Sequence, residues 1–172
     1  AMPPELVMQM PLMKDVLHAM NIKTLELEGF EADDIIGTVA REAEEAGIEP
    51  LIITGDRDAL QLASHKTSVL ITKKGITDFD LFDFDKMIET YQLTPTQFID
   101  VKALMGDTSD NIPGVPSVGE KTATNLILQF GSVEGVYDHL DEVKPPRAKK
   151  ALEEHKELAE LSYRLAKICI EA

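Results

Sequence analysis

The sequence predicts an α/β sheet domain that runs into a helical C-terminal half. Three observations carry this. Leu51-Ile52-Ile53 is a short continuous apolar run, the mark of a strand buried on both faces. Before it, Ile35, Ile36, Val39, Ala40 and Ala43 recur with a helical period. Beyond residue 94, helical patterns are joined by loops rich in Gly and Pro.

Taken in order, Met2 to Met20 reads as a helix with Leu6, Met13, Val16, Leu17 and Met20 on one face, perturbed at Pro11. Thr24–Glu28 alternates like a short strand, and Gly29 breaks it. A helix over 32–46 follows and stops at Gly47, so strand 24–28, this helix and strand 51–54 make a β-α-β unit. Asp58–Ala63 makes a short helix and Val69–Thr72 another strand, which turns at Lys73-Lys74-Gly75 into a hairpin with 76–79. Asp83 or Asp85 caps a helix through Tyr91. Thr94 caps the next, with Pro95 at its first position and Phe98, Val101, Leu104 and Met105 as its buried face. The long loop 106–119 alternates with Ile112, Val115 and Val118, so it is read as ordered. Helices over 120–129, 133–140 and about 147–168 complete the chain; the apolar stripe Leu158, Leu161, Leu165 and Ile168 packs the last one on its own core.

Composition narrows the function. The 172 residues are 44% hydrophobic and 28% charged, which suits one domain or a domain with a small appendage. No apolar run approaches the roughly 20 residues of a membrane span, so no membrane partner is expected. The single Cys169 excludes an internal disulfide and a Cys-rich zinc site, and points to a reducing, cytoplasmic setting. Net charge is −14, which by itself argues against a nucleic-acid partner unless the acidic residues are metal ligands or the basic surface lies elsewhere.

The acidic residues are clustered. Glu31, Asp33 and Asp34 stand at the mouth of a helix. A helix N-terminus favours one carboxylate or two, but not three: unit charges about 4 Å apart repel by roughly 4 kcal/mol at an effective dielectric of 20. Asp56 and Asp58 follow a strand's carboxyl end, where α/β sheets place their sites, and an extended segment would point both to one side. Asp107 and Asp110 open the long loop. With no His or Cys beside them, these hard oxygen donors select Mg²⁺ or Mn²⁺ over zinc. Converging, they could hold two ions about 3.5–4 Å apart, the arrangement for phosphodiester hydrolysis. Gly114-Val115-Pro116-Ser117-Val118-Gly119-Glu120-Lys121-Thr122 leads into a helix and fits a helix-hairpin-helix gripping a DNA backbone. His18, His65, His139 and His155 are scattered and carry no assigned role.

The runs from Glu28 to Gly37, Thr54 to Asp58, Leu104 to Val115 and Val118 to Ala123 resemble the 5′-nuclease domain of bacterial DNA polymerase I, together with flap endonucleases and phage 5′-exonucleases. The resemblance spans essentially the whole chain. It implies a PIN-like parallel-sheet core, incomplete, over 1–105, and a helix-hairpin-helix (H3TH) region over 106–172. It implies metal-dependent cleavage of 5′ flaps and RNA primers in replication and repair, with a polymerase domain in the same parent chain. Asp33, Asp34 and Asp56 would be catalytic. Glu31, Asp33 and Asp34 would surround a first metal with Asp56 and Asp58 nearby, and Asp107 and Asp110 a second. Gly114, Val115, Ser117, Val118, Gly119, Lys121 and Thr122 would hold the duplex around a monovalent cation such as K⁺. The family also has an earlier strand with a metal-binding Asp, a further Asp on a later strand, and a basic helical arch. This sequence begins downstream of all three, which implies weak or absent cleavage. Ser117 stands where the family's hairpin usually has Gly, a departure that matters if the position needs a positive φ. Two other readings are a non-catalytic duplex-binding module and, well below it, an acidic phosphotransfer domain using Asp56.

Overall fold

A computed structural model of the chain describes residues 3–73 and 78–172. Its organising element is a helix buried on nearly every side. Helix α4 (Pro95–Met105) is capped by Thr94, whose hydroxyl accepts from the Gln97 N–H while the Gln97 side chain accepts from the Thr94 N–H. Ile99, Val101, Ala103 and Leu104 are buried, and so are Asp100 and Lys102. The Asp100 carboxylate accepts from the Val133 N–H at 2.9 Å, so its burial has a partner.

On one side of α4 lies a three-stranded sheet in the order β1 (Leu51–Thr54), β2 (Ser68–Thr72), β3 (Phe79–Phe82). β1 and β2 are parallel, with Leu51 opposite Ser68; β2 and β3 are antiparallel, with Val69 opposite Phe82. The expected hairpin is therefore present, its second strand starting at Phe79; Lys74–Thr77 lie outside the described residues. A 3₁₀ helix (Arg57–Leu62) connects β1 to β2, and α3 (Phe84–Tyr91) follows, capped by Asp83. Leu60, Val69, Ile71, Phe82 and Met87 form the core here. On the other side, α5 (Glu120–Phe130), α6 (Val133–Asp138), α7 (Pro146–Glu154) and α8 (Lys156–Ala166) enclose Leu104, Val115, Val118, Leu126, Ile127, Val136 and Leu152. Tyr91 and Phe98 pack against both clusters.

Four expectations are corrected. Thr24–Glu28 is not a strand: it is exposed and belongs to no strand pair of the described sheet. Alternation is compatible with a strand but cannot supply the partner whose backbone groups a strand needs. The parallel pair is instead β1 with β2, around the 3₁₀ helix. Second, β1 is buried on one face only; Ile52 is 6% exposed, whereas Leu51 and Ile53 are 54% and 65% exposed. Third, the last helix is two, broken at His155, whose φ of −130° leaves the helical region. The α8 face toward α4 carries the small residues Ala159, Ser162 and Ala166, while Leu161 and Leu165 are exposed. Close helix approach selects small side chains over the longer leucines. Fourth, the first helix, α1 (Pro4–Ala19), continues through Pro11, and its apolar residues Leu6, Met13 and Val16 are exposed. Helix α2 (Ala32–Glu45) and the ordered loop 106–119 are as expected, with Ile112, Val115 and Val118 buried.

Candidate metal centre and nucleic-acid interface

Three acidic groups converge, but they are not equivalent. At the start of α2, Asp34 is committed to backbone partners: its Oδ2 accepts from the Glu31 N–H at 3.1 Å and its Oδ1 from the Cys169 N–H at 2.8 Å. This accounts for one of the three clustered charges by an ordinary capping interaction. Asp33 is half-buried, and burial raises its pKa above the usual carboxylate value. The charges of Asp56, Asp58, Glu31 and Asp34 push in the same direction, so the first two acidic groups share one field. Among the described residues, no Lys or Arg forms an ion pair with Asp33.

The segment after β1 does not stay extended, so the condition for Asp56 and Asp58 to point to one side is not met. Asp56 caps the 3₁₀ helix, accepting from the Asp58 N–H at 2.9 Å, and this local bond turns the chain sharply. Asp58 is thereby directed toward α4. There its carboxylate comes together with Asp107 and Asp110, one oxygen of each lying within 4.8 Å of the others. Asp58 thus stands with Asp107 and Asp110 as well as beside Asp33.

Sequence reasoning missed the centre of this cluster. Lys102, with a side chain 6% exposed, sends its Nζ among the three carboxylates, bonding Asp58 and standing 3.0 Å from Asp107 Oδ2 and 3.0 Å from Asp110 Oδ2. Burial would lower the Lys102 pKa, but hydrogen bonds to Asp58, Asp110 and Asp107 outweigh it and raise the value above the ordinary lysine range. For Asp58, burial prevails over Lys102 and raises the pKa. Asp107 is held down to about 2 by the Ser109 hydroxyl first and Lys102 second. A readable signal existed: a lysine inside the apolar run Val101-Lys102-Ala103-Leu104 needs a buried counter-charge.

A pH dependence follows. Because the Asp107 pKa is depressed in the folded chain, its contribution is complete above the unfolded value of roughly 3.9 and is lost as pH falls toward 2. Urea midpoints of the native chain and Asp107→Asn should differ most above about pH 4 and converge near pH 2.

The hairpin is built on close backbone contact. Gly106 (φ +76°) and Gly114 (φ +62°) face each other, and a Cβ on Gly114 would lie 2.3 Å from the Gly106 nitrogen. Gly114 donates its N–H to the buried Ser162 Oγ at 2.9 Å, and Val115 donates to the Leu104 carbonyl at 2.8 Å. Val115 and Val118 are buried, Ser117, Gly119 and Lys121 are exposed, and Thr122 is half-buried. Gly119 precedes α5 without a side-chain cap, leaving first-turn N–H groups for an anion. Ser117 has φ +68°, the left-handed conformation that disfavours a side chain. Ser117→Gly is expected to raise stability by about 0.5–1 kcal/mol in urea melts, relief of αL strain being partly offset by the entropy of an added glycine.

Comparison with known proteins gives the family. The family described as 5′-3′ exonuclease, N-terminal resolvase-like domain, matches residues 1–92. The one described as 5′-3′ exonuclease, C-terminal SAM fold, matches residues 93–172. The chain belongs to the 5′-3′ exonuclease family. It is 54% identical over 166 residues to DNA polymerase I of Bacillus caldotenax, covering 96% of this chain and 19% of that protein. With DNA polymerase I of Bacillus subtilis it shares 52% identity over 170 residues, covering 99% of this chain. The chain thus spans about a fifth of the length of these relatives, 19% in both. Among solved structures, T5 5′-exonuclease with bound zinc superimposes with a TM-score of 0.78 at 27% identity, over 92% of this chain and 58% of that one. A T5 flap endonuclease in a pseudo-enzyme-product complex with DNA and metal ions gives a TM-score of 0.76 at 26% identity, over 90% of this chain and 56% of that one. The α/β part followed by a helical part is the fold of these nucleases. Among the described residues, no helix is long and apolar enough to cross a membrane.

Proposed function

We propose that the chain is the 5′-nuclease part of a bacterial DNA polymerase I, with an α/β core over 1–105 and a helix-hairpin-helix region over 106–172. The reaction is hydrolysis of a phosphodiester bond in 5′ flaps, nicked duplex or primer strands, in the cytoplasm and alongside a polymerase domain of the same parent chain. The observation that carries this is the convergence of Asp33, Asp56, Asp58, Asp107 and Asp110 on one region, all oxygen donors.

The residues fit divalent cations. The Lys102 ammonium group lies among Asp58, Asp107 and Asp110, so this pocket is shaped for positive charge. Glu31, Asp33, Asp34, Asp56, Asp58, Asp107 and Asp110 are the residues to hold Mg²⁺ or Mn²⁺. Bound there, two such ions supply a nucleophile at neutral pH and stabilise the charge on the leaving oxygen. Asp33 and Asp56 orient the reacting region, and Asp34 holds the α2 N-terminus that carries Asp33. The hairpin Gly114–Gly119, with Lys121 and Thr122, would bind the duplex backbone through exposed N–H groups, and a monovalent cation such as K⁺ would be held there by oxygen atoms. Such contacts position the strand without reading bases.

Calorimetric titration with Mn²⁺ tests the reading. The native chain should release or absorb heat saturably, and Asp33→Ala and Asp58→Ala should not. Absence of saturable heat with the native chain overturns it. The same variants separate a nuclease from a pure duplex-binding module, which would keep its DNA affinity when Asp33 is removed.

A further inference from the structure

One face of α2 is covered by residues 168–172. Asp34, Gly37, Thr38 and Arg41 are spaced i, i+3, i+4 and i+7, so they form one stripe. Each meets the segment after α8. Asp34 Oδ1 accepts from the Cys169 N–H at 2.8 Å. Thr38 Oγ1 accepts from the Ala172 N–H at 2.9 Å while donating to the Asp34 carbonyl at 2.8 Å. Arg41 Nε donates to the Ile170 carbonyl at 2.8 Å. Gly37 provides the space between them, since a Cβ there would lie 3.1 Å from the Cγ2 atoms of both Ile168 and Ile170.

The same segment grips a second element. Gln61, on the 3₁₀ helix that begins with Asp56 and Asp58, donates from Nε2 to the Ala166 carbonyl at 3.0 Å. Its Oε1 accepts from the Ile168 N–H at 2.9 Å. Upstream, Ser162 of α8 accepts the Gly114 N–H of the hairpin. One stretch of chain therefore touches α2, the 3₁₀ helix and, through α8, the hairpin.

We infer that residues 166–172 form a positioning strap that clamps the two carboxylate-bearing elements together, with the Cys169 N–H orienting Asp34 and hence the first turn that carries Asp33. This rests on the metal-dependent reading for its consequence, though not for its geometry. No part of the local sequence of α2 could make this connection: the groups involved are 129 to 135 residues apart. Outer groups that orient ligands commonly change metal affinity by about 10- to 100-fold when lost. The partners of Asp34 are backbone N–H groups, so the Cys169 thiol itself is dispensable.

Cys169→Pro removes the N–H, and Cys169→Ala keeps it. Two readouts are taken on each chain: amide exchange in the first turn of α2, and Mn²⁺ affinity. Cys169→Pro should exchange about tenfold faster at Asp34–Ile36 and bind Mn²⁺ about tenfold more weakly, with exchange in α5 unchanged. Cys169→Ala should match the native chain in both. Should Cys169→Pro fail to fold, Gly37→Leu takes its place: a Cβ there already stands 3.1 Å from Ile168 and Ile170, so the longer side chain has no room unless they leave the stripe, and Asp34 is unaltered. Native exchange in the first turn of α2 in the folded variant overturns the strap. Accelerated exchange with native Mn²⁺ affinity overturns its role toward the metal. If the native chain binds no Mn²⁺, the metal-dependent reading falls and amide exchange alone decides the clamp.

Discussion

Lys102→Met should lower the unfolding free energy by about 2–4 kcal/mol in metal-free buffer, and Mn²⁺ should return much of that loss. Methionine keeps the volume and the packing of the aliphatic stem against α4's neighbours. Among the described residues, what disappears is the only Lys or Arg charge paired with Asp58, Asp107 and Asp110. Removing one partner of a buried ionic cluster typically costs about 3–5 kcal/mol, because the remaining charges stay desolvated. Asp110 has a side chain 52% exposed, and the other two are about a quarter exposed, so water screens part of the repulsion and brings the expected loss down to about 2–4 kcal/mol. The variant should raise the pKa of Asp58 and Asp107 as well, since they lose a cation that lowers both. Urea denaturation with and without Mn²⁺ measures the effect. A variant as stable as the native chain without metal would show that the ammonium group contributes nothing net, as happens for exposed ion pairs.

Gly114→Ala should be strongly destabilising. The added Cβ would stand 2.3 Å from the Gly106 nitrogen, 2.6 Å from the Gly106 Cα and 2.6 Å from the Met105 carbonyl carbon. All three are backbone atoms at the end of α4, so no rotamer change relieves the clash. The φ of +62° adds roughly 1–2 kcal/mol for any L side chain. The hairpin must therefore lift away from α4, breaking the Val115-to-Leu104 backbone bond and the Gly114-to-Ser162 bond. A loss of about 4 kcal/mol or more is expected, which for a chain of this size corresponds to a fall in Tm of roughly 8–16 °C. Duplex binding should weaken with it, because the hairpin loses its fixed position on α4. Calorimetric melting and a filter-binding assay on duplex DNA check both parts. Ser117→Gly, on the same hairpin, should act in the opposite direction, since it relieves a positive φ instead of filling a close contact.

Much of this protein is written locally in its sequence. The Thr94 cap with Pro95 and Gln97 defines the start of α4, and the Asp83 cap defines the start of α3, because helix termini are satisfied by side chains two or three residues away. The acidic pairs and the glycines at 106 and 114 are equally legible, since carboxylate clustering and positive φ are properties of a few consecutive residues. The resemblance to 5′-nucleases rests on these same short runs, and the family comparison agrees with it. Other features depend on who lies opposite. Alternation at Thr24–Glu28 reads as a strand, yet no strand of the described sheet pairs with it. The apolar run of β1 does not tell whether both faces are covered, and one is not. The leucine stripe of the last helix is the more hydrophobic face, but α4 accepts the small one, because Ala159 and Ser162 allow closer approach. Lys102 joins Asp58 from 44 residues away, and Cys169 reaches Asp34 from 135 away. Periodicity and spacing carry no information about such meetings. They are decided by how α4, α8 and the 3₁₀ helix pack, since burial turns one lysine into the centre of a carboxylate cluster and a backbone N–H beyond α8 into a clamp on a candidate metal ligand.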